Sequence, residues 1–392
     1  MSKAAPGVAL PSPAAGAVDL LVVAAEHSGD AHAARMVREL RAKHPEVRVC
    51  ALGGPQLAAA GAQLLRDLTA GSAMGFAVLA KISFYRALIA EIIRWVGQHR
   101  PKAVCFVDSS GLNLRIAHGL FAKKFSAKAG GPTKTLYYIS PQVWASRAGR
   151  RFEMAQHLDG LAAIFPFEPV VYADTALPVE FVGHPFMSPG YAAPVAFDPA
   201  GPVLLLPGSR RQVVSRVFPV LLGAYAQSGV DRPAVALYPS EEIRALLQRG
   251  QDQSPVGARI ELRPVGGAPV GAAAVLTVSG TMSLECALAG IPGALTYRTD
   301  PLTYFLGRLL VKVDYIGIAN LLLKEAMYPE FIQGAATARA LAAQLRECLG
   351  DPARGARTQA QAVRLRALLA QPASGTPADW LARQLAAEAN QG

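Results

Sequence analysis

The 392-residue chain carries 39 Lys and Arg against 28 Asp and Glu, a formal net charge of +11, and is 52% hydrophobic and 17% charged. That apolar fraction excludes a disordered or low-complexity protein, and at about 150 residues per domain the length suits two domains with an appendage. Cys50, Cys105, Cys286 and Cys348 are scattered without CxxC spacing. They point away from a disulfide framework or zinc site and toward a reducing cytoplasm.

A mean hydropathy of +0.25 raises the question of a membrane. A spanning helix needs about 20 consecutive apolar residues. The longest uncharged window, 264–284, is broken by Gly267, Pro269, Gly271 and Gly280. Residues 1–18 are rich in Ala, Pro and Gly; Lys3 is their only cationic side chain, and Pro11 and Pro13 interrupt any signal-peptide core. This segment reads as a flexible leader. Positive charge with abundant apolar surface suits an anionic membrane surface. Nucleic acid is disfavoured, because the basic residues are dispersed and no aromatic-stacking motif accompanies them.

In chain order, 19–25 (DLLVVAA) has the length of a buried strand, 26–30 (EHSGD) forms a tight turn, and 31–40 has helical periodicity. Strands are predicted at 47–52, 103–107, 135–139 and 160–165. Residues 185–202, rich in Pro, Gly and Ala, mark a seam. A second unit then repeats the first: strand 203–206, turn 207–210 (PGSR), helix 212–225, with further strands at 234–238 and 273–278. Short strands alternating with helices argue for a doubly wound α/β sheet in each half. The chain is therefore divided into a leader (1–18), a first α/β domain (19–190), a second (200–335) and a helical tail (336–392). The tail either folds back on the first domain or pairs with another chain.

Open parallel sheets bind ligands at the carboxyl ends of their strands. In the turn Pro207-Gly208-Ser209-Arg210, glycine lets backbone N–H groups approach a phosphate and Arg210 can fork onto its oxygens; a plain Pro-Gly turn with a solvated arginine is the alternative. Strand 273–278 leads into Ser279-Gly280-Thr281 and a helix carrying Glu285. That carboxylate can accept ribose hydroxyls, or simply complement the helix dipole. Together the two turns and the carboxylate favour a nucleotide-diphosphate site. In the first half, strand 103–107 delivers Asp108, placed to act as a general base toward a hydroxyl or to cap the next helix. No Asp-x-Asp, H-x-x-x-H or HExxH spacing occurs, so phosphate binding without a metal or other cofactor is expected.

These residues carry a resemblance to the lipid-A-disaccharide synthase family of GT-B glycosyltransferases, running from about Leu20 to about Gln333. Its landmarks are 24–30 (AAEHSGD), Gly53-Gly54-Pro55, Met74-Gly75, 138–145 (YISPQVWA), 165–168 (FPFE), 181–185 (FVGHP), 206–210 (LPGSR), Ser279-Gly280-Thr281 with Leu284-Glu285, Tyr297-Arg298, Asp314-Tyr315, Asn320-Leu321, and Pro329-Glu330 with Gln333. The resemblance implies two facing Rossmann-like domains with a cleft between them. It implies transfer of a diacylglucosamine from UDP to an acylated monosaccharide phosphate, with inversion, giving a β-1,6 disaccharide and UDP. By the same resemblance Asp108 orients or deprotonates the acceptor hydroxyl. Gly208, Ser209, Arg210, Ser279, Gly280, Thr281, Glu285 and Asn320 match the donor side, and Ser28, Gly29, Asp30, Met74 and Gly75 the acceptor side.

The chain departs from the family where Ser109–Asn113 lacks a Pro and a second Asp, at Val78 in place of a glutamate, at the uncharged 212–215, and at Ala319 in place of Pro. Two further activities share the architecture: a hydrolysing epimerase-like enzyme on a UDP-amino sugar, and a non-catalytic protein that binds a nucleotide lipid. A nicotinamide-dependent oxidoreductase is disfavoured, because no GxGxxG follows the first strand. Residues 74–96, apolar with Lys81, Arg86, Arg94 and four aromatic side chains, read either as a membrane-interface helix or as a buried crossover helix, and 303–324 is ambiguous in the same way. The expected setting is the cytoplasm, peripheral on the inner face of the membrane, with a homodimer as one arrangement.

Overall fold

The computed structural model describes residues 8–69, 78–299 and 314–386. The chain forms two compact units: one comprises the described residues up to Pro185 together with those from Gln371 onward, and the other is Phe186–Ala370. Met74 and Gly75 lie outside the described residues, as does the first half of 303–324.

The first unit is built on seven parallel strands: β1 (Leu20–Val23), β2 (Val49–Gly53), β3 (Gln63–Asp67), β4 (Ala103–Val107), β5 (Lys134–Tyr138), β6 (Gly160–Ala163) and β7 (Val179–Phe181). Their order is β3-β2-β1-β4-β5-β6-β7. Every residue of β1, β2 and β4 is buried, which is why these strands read in sequence as unbroken apolar runs. On one face, α3 (Val78–His99) and α4 (Ser110–Ala122) bury Leu88, Ile92, Trp95, Ile116 and Leu120 against Leu21, Val23 and Phe106. Each such side chain contributes roughly 1.5–3 kcal/mol. From Leu88 onward α3 is thus a buried crossover helix. No helix among the described residues is long and apolar enough to cross a membrane.

The leader is a correction. Residues 8–18 are docked, not flexible. Val8 and Leu10 are buried, Leu10 N–H donates to Glu91 (2.8 Å), and Trp95 Nε1 donates to the Pro11 carbonyl (2.8 Å). An indole and a carboxylate inside the core each need a hydrogen-bond partner, and the leader's backbone meets both.

The second unit holds β9 (Val203–Leu206), β10 (Ala234–Tyr238), β11 (Ile260–Pro264), β13 (Ala274–Thr277), β14 (Gly293–Tyr297) and β15 (Glu330–Ile332) in the order β11-β10-β9-β13-β14-β15, with a small ladder of β8 (Val195–Phe197) on β12 (Val270–Ala272). All its registered pairs are parallel. Helix α7 (Arg211–Ser228) packs Val214, Val217 and Leu221 onto this sheet, joined by Leu341 and Leu345 from the helix Ala338–Gly350. That helix and the next, Pro352–Leu369, belong to the second unit, and only Pro377–Ala386 packs on the first.

Candidate functional site

In the first sheet β1 pairs with β2 on one side and β4 on the other, so the strand order reverses between β1 and β4. A crevice forms outside the carboxyl ends at such a switch point. Two sequence candidates meet there. Gly29, in the first turn of α1 (His27–Lys43), lies so near β4 that a Cβ on it would stand 3.5 Å from the Val107 carbonyl and 3.8 Å from Asp108 Cβ.

Asp108 and Ser109 both adopt left-handed backbone (φ 52° and 42°), which L-residues enter at a cost. Three hydrogen bonds hold the conformation. Asp108 N–H donates to the Tyr138 carbonyl (3.2 Å), and the Asp108 carbonyl accepts from Asn113 Nδ2 (2.8 Å) and from the Tyr137 hydroxyl. Asp108 is not the N-cap residue of α4; that place falls to Ser109, whose own side chain makes no capping bond. The half-buried Asp108 side chain is delivered to the carboxyl edge by a strained turn that those backbone bonds hold.

Asp30 has a different task from the one the resemblance gave it. It is 1% exposed, and its carboxylate accepts from the backbone N–H groups of Gly54 (2.8 Å), Gln56 (3.0 Å) and Leu57 (3.2 Å). It caps the short helix α2 (Pro55–Ala59). A Cβ on Gly54 would fall 2.6 Å from Asp30 Oδ2, so glycine is required there. Ser28, half-buried in α1, remains beside the edge.

Glu168, which follows β6, is fully buried and accepts from the N–H groups of Ile164 (3.1 Å) and Phe165 (3.0 Å). Burial pushes its carboxyl up to about 7. Trp144, Phe165 and Phe167 pack edge-on and stacked around it. Burial likewise holds the imidazoles of His32 and His184 down, to about 4 and about 3.

In the second unit the order reverses between β9 and β13, where the two phosphate-type turns emerge side by side. Val278 N–H donates to the Leu206 carbonyl (3.1 Å). Gly208 has φ +102°, and a Cβ on it would meet Val278 Cγ2 at 3.0 Å. Ser209 and Arg210 stand exposed just ahead of α7, with Arg210 at its N-cap. Ser279-Gly280-Thr281 opens α9 (Thr281–Ala289), whose first-turn N–H groups face the same edge. Ser279 Oγ donates to the Ile316 carbonyl (2.7 Å), tying this turn to the loop 316–317.

One turn into α9, Glu285 is 8% exposed and accepts the Tyr191 hydroxyl on Oε1 at 2.7 Å. Burial raises its carboxyl to about 7, and the Tyr191 bond pulls the other way.

Asn320, assigned to donor contact by resemblance, is 1% exposed with its amide fully engaged: Nδ2 donates to the Tyr328 carbonyl (2.7 Å) and Glu330 (2.9 Å), and Oδ1 accepts from Tyr328 N–H (2.9 Å). It braces the loop instead. Glu330 completes the brace, accepting Ile316 N–H (2.9 Å) and Gly317 N–H (2.9 Å). Glu330 stands among the family landmarks without an assigned role, and Tyr191, inside the Pro/Gly/Ala-rich seam, carries no sequence signal. Among the described residues no group of three or more His, Cys, Asp or Glu side chains could hold a metal ion.

Two doubly wound parallel sheets, each with polar and glycine-bearing turns at its switch point, define a GT-B type protein. Solved structures share the fold: a putative UDP-N-acetylglucosamine 2-epimerase from Listeria monocytogenes (TM-score 0.59, 11% identity, 96% of this chain and 97% of that one) and the glycotransferase of kitacinnamycin (TM-score 0.55, 16% identity, 94% and 99%). The lipid-A-disaccharide synthetase family model matches residues 20–382. Relatives include the lipid-A-disaccharide synthases of Geobacter metallireducens (35% identical, 87% of this chain and 90% of that protein) and Nitrosococcus oceani (36% identical, 85% and 87%). The chain belongs to the lipid-A-disaccharide synthase family and is a glycosyltransferase.

Proposed function

We propose that this protein moves a diacylated glucosamine from UDP to an acylated monosaccharide phosphate, with inversion, giving a β-1,6-linked disaccharide and UDP. The observation that supports this reading most is the pair of turns at the second sheet's switch point, Gly208 against Val278 beside the N-terminus of α9. Backbone N–H groups at a helix N-terminus, with Arg210 nearby, suit a diphosphate. As the glycosidic bond breaks, negative charge builds on the departing diphosphate, and donors already aimed at it lower the barrier. Glu285 serves the ribose. In the first unit Asp108 accepts the proton of the acceptor hydroxyl, which raises its nucleophilicity toward the anomeric carbon. Gly29 keeps side-chain bulk away from that carboxylate.

Acylated substrates place the protein at the cytoplasmic face of the inner membrane, bound peripherally. The net charge of +11 favours an anionic surface.

The test is incubation of purified protein with UDP-diacylglucosamine and the acylated monosaccharide phosphate, following UDP and disaccharide together. Equal release of both supports the reading. UDP without disaccharide, or binding without turnover, overturns it. Sedimentation with anionic against zwitterionic vesicles tests the membrane assignment.

A further inference from the structure

The contact between Tyr191 and Glu285 carries a consequence for how the nucleotide site selects its ligand. Tyr191 precedes β8 and its ring stacks on Phe186, with centroids 5.0 Å apart and planes 29° apart. Its hydroxyl donates to Glu285 Oε1 at 2.7 Å. The other carboxylate oxygen, Oε2, is shielded from solvent and takes no hydrogen bond among the described residues. A buried oxygen left without a donor costs about 1–3 kcal/mol, more when the group is charged, so such an atom in a folded protein calls for an explanation.

Position supplies one. Glu285 sits four residues inside α9, about 6 Å along the axis from Thr281. The start of the helix carries the phosphate-type turn Ser279-Gly280-Thr281, braced by Ser279 on Ile316. A nucleoside diphosphate seated with its phosphates at the helix start brings its ribose alongside the first turn. An alkyl or aromatic group there would leave Oε2 unsatisfied, whereas a sugar hydroxyl would satisfy it.

Building on the nucleotide reading above, we propose that Tyr191 is a positioning residue of this site: its hydroxyl fixes Glu285 Oε1 so that Oε2 is presented to a single ribose hydroxyl, making the pair a reader of ribose over deoxyribose. Without the Tyr191 bond the carboxylate is free to turn, and both oxygens lose their defined direction. The phenol thus acts through Glu285 and makes no bond to the nucleotide.

The experiment is calorimetric binding of UDP, 2′-deoxy-UDP and 3′-deoxy-UDP to the full chain and to Tyr191→Phe, which keeps the ring on Phe186 and removes only the hydroxyl. Wild type is expected to bind UDP and one deoxy analogue alike, and the other on the order of tenfold more weakly, the loss of one hydrogen bond. In Tyr191→Phe the UDP affinity falls toward that of the weaker analogue and the preference shrinks to less than about threefold. A modest fall in thermal midpoint accompanies that change, because the buried Glu285 Oε1 loses its donor. Wild-type discrimination surviving in Tyr191→Phe overturns the role of Tyr191 and leaves the ribose assignment of Glu285 standing. Equal binding of all three ligands by wild type overturns the inference while the UDP site stands. Failure of wild type to bind UDP overturns both.

Discussion

Gly208 and Val278 touch across the switch point of the second sheet: a Cβ on the glycine would lie 3.0 Å from Val278 Cγ2, at a backbone φ of +102°. The two phosphate-type turns therefore pack as one surface, and the absence of a side chain at 208 sets how closely they approach.

Gly208→Ala meets both the left-handed backbone and the close contact. A loss of about 1–3 kcal/mol in stability is expected, with UDP affinity reduced in the same variant. Gly280→Ala is the contrasting control: nothing lies within 4 Å of a Cβ there, and its backbone (φ 161°) is extended. Its thermal midpoint stays at the wild-type value. Calorimetric melting of the two variants side by side checks the difference, and equal destabilisation would contradict the packing account.

Asp108→Asn removes the base while keeping the three bonds to the N–H and carbonyl of residue 108 that hold the turn. Turnover is expected to fall by about 10²–10⁴, with unchanged melting and UDP affinity. Single-turnover kinetics measure it, and near-wild-type activity would remove Asp108 from the mechanism.

Glu168 gives stability a pH dependence of definite sign. Its carboxyl is raised from 4.5 to about 7 by burial, so between those values the native state keeps a proton that the unfolded chain gives up. Stability attributable to this group therefore falls as pH rises through that window, by about 3 kcal/mol in all. Glu168→Gln removes that dependence. Denaturant midpoints of the two proteins at pH 5 and pH 8 should diverge in the variant's favour at pH 8. His32 and His184, held neutral by burial, act in the opposite sense: their contribution is present above about 6.5 and is lost as pH falls toward 4.

Truncation to Asp19 orphans the Trp95 indole, takes one donor from Glu91, which keeps its bonds to Arg94, and uncovers the core beneath Val8 and Leu10. A loss of about 3–5 kcal/mol is expected from the orphaned indole and the lost apolar burial. Urea unfolding of the truncated chain measures this, and a wild-type midpoint would mean the leader is dispensable.

Sequence patterns alone were enough for the inner strands β1, β2, β4, β9, β10 and β13, because strands buried on both faces must be apolar throughout and short, and polar turns end them. The same runs fix the position of Asp108, Gly208 and Ser279–Thr281 at the carboxyl edges of the sheets, because each comes next in chain after such a strand. The strands that escaped notice lack that signature. β3 carries Gln63, Arg66 and Asp67 on a sheet edge, β7 and β15 are three-residue strands, and β14 opens on Pro292-Gly293 and resembles a turn. Only the tertiary structure decided what the remaining polar groups do. Asp30 and Asn320 have the residue types of ligand contacts, yet their atoms are consumed by backbone groups brought near by the fold, 24 and 8 residues away. Tyr191 meets Glu285 across 94 residues of chain. A side chain's type and its neighbours in sequence state what it can donate or accept; which partner takes the bond depends on long-range packing, and no local pattern encodes that.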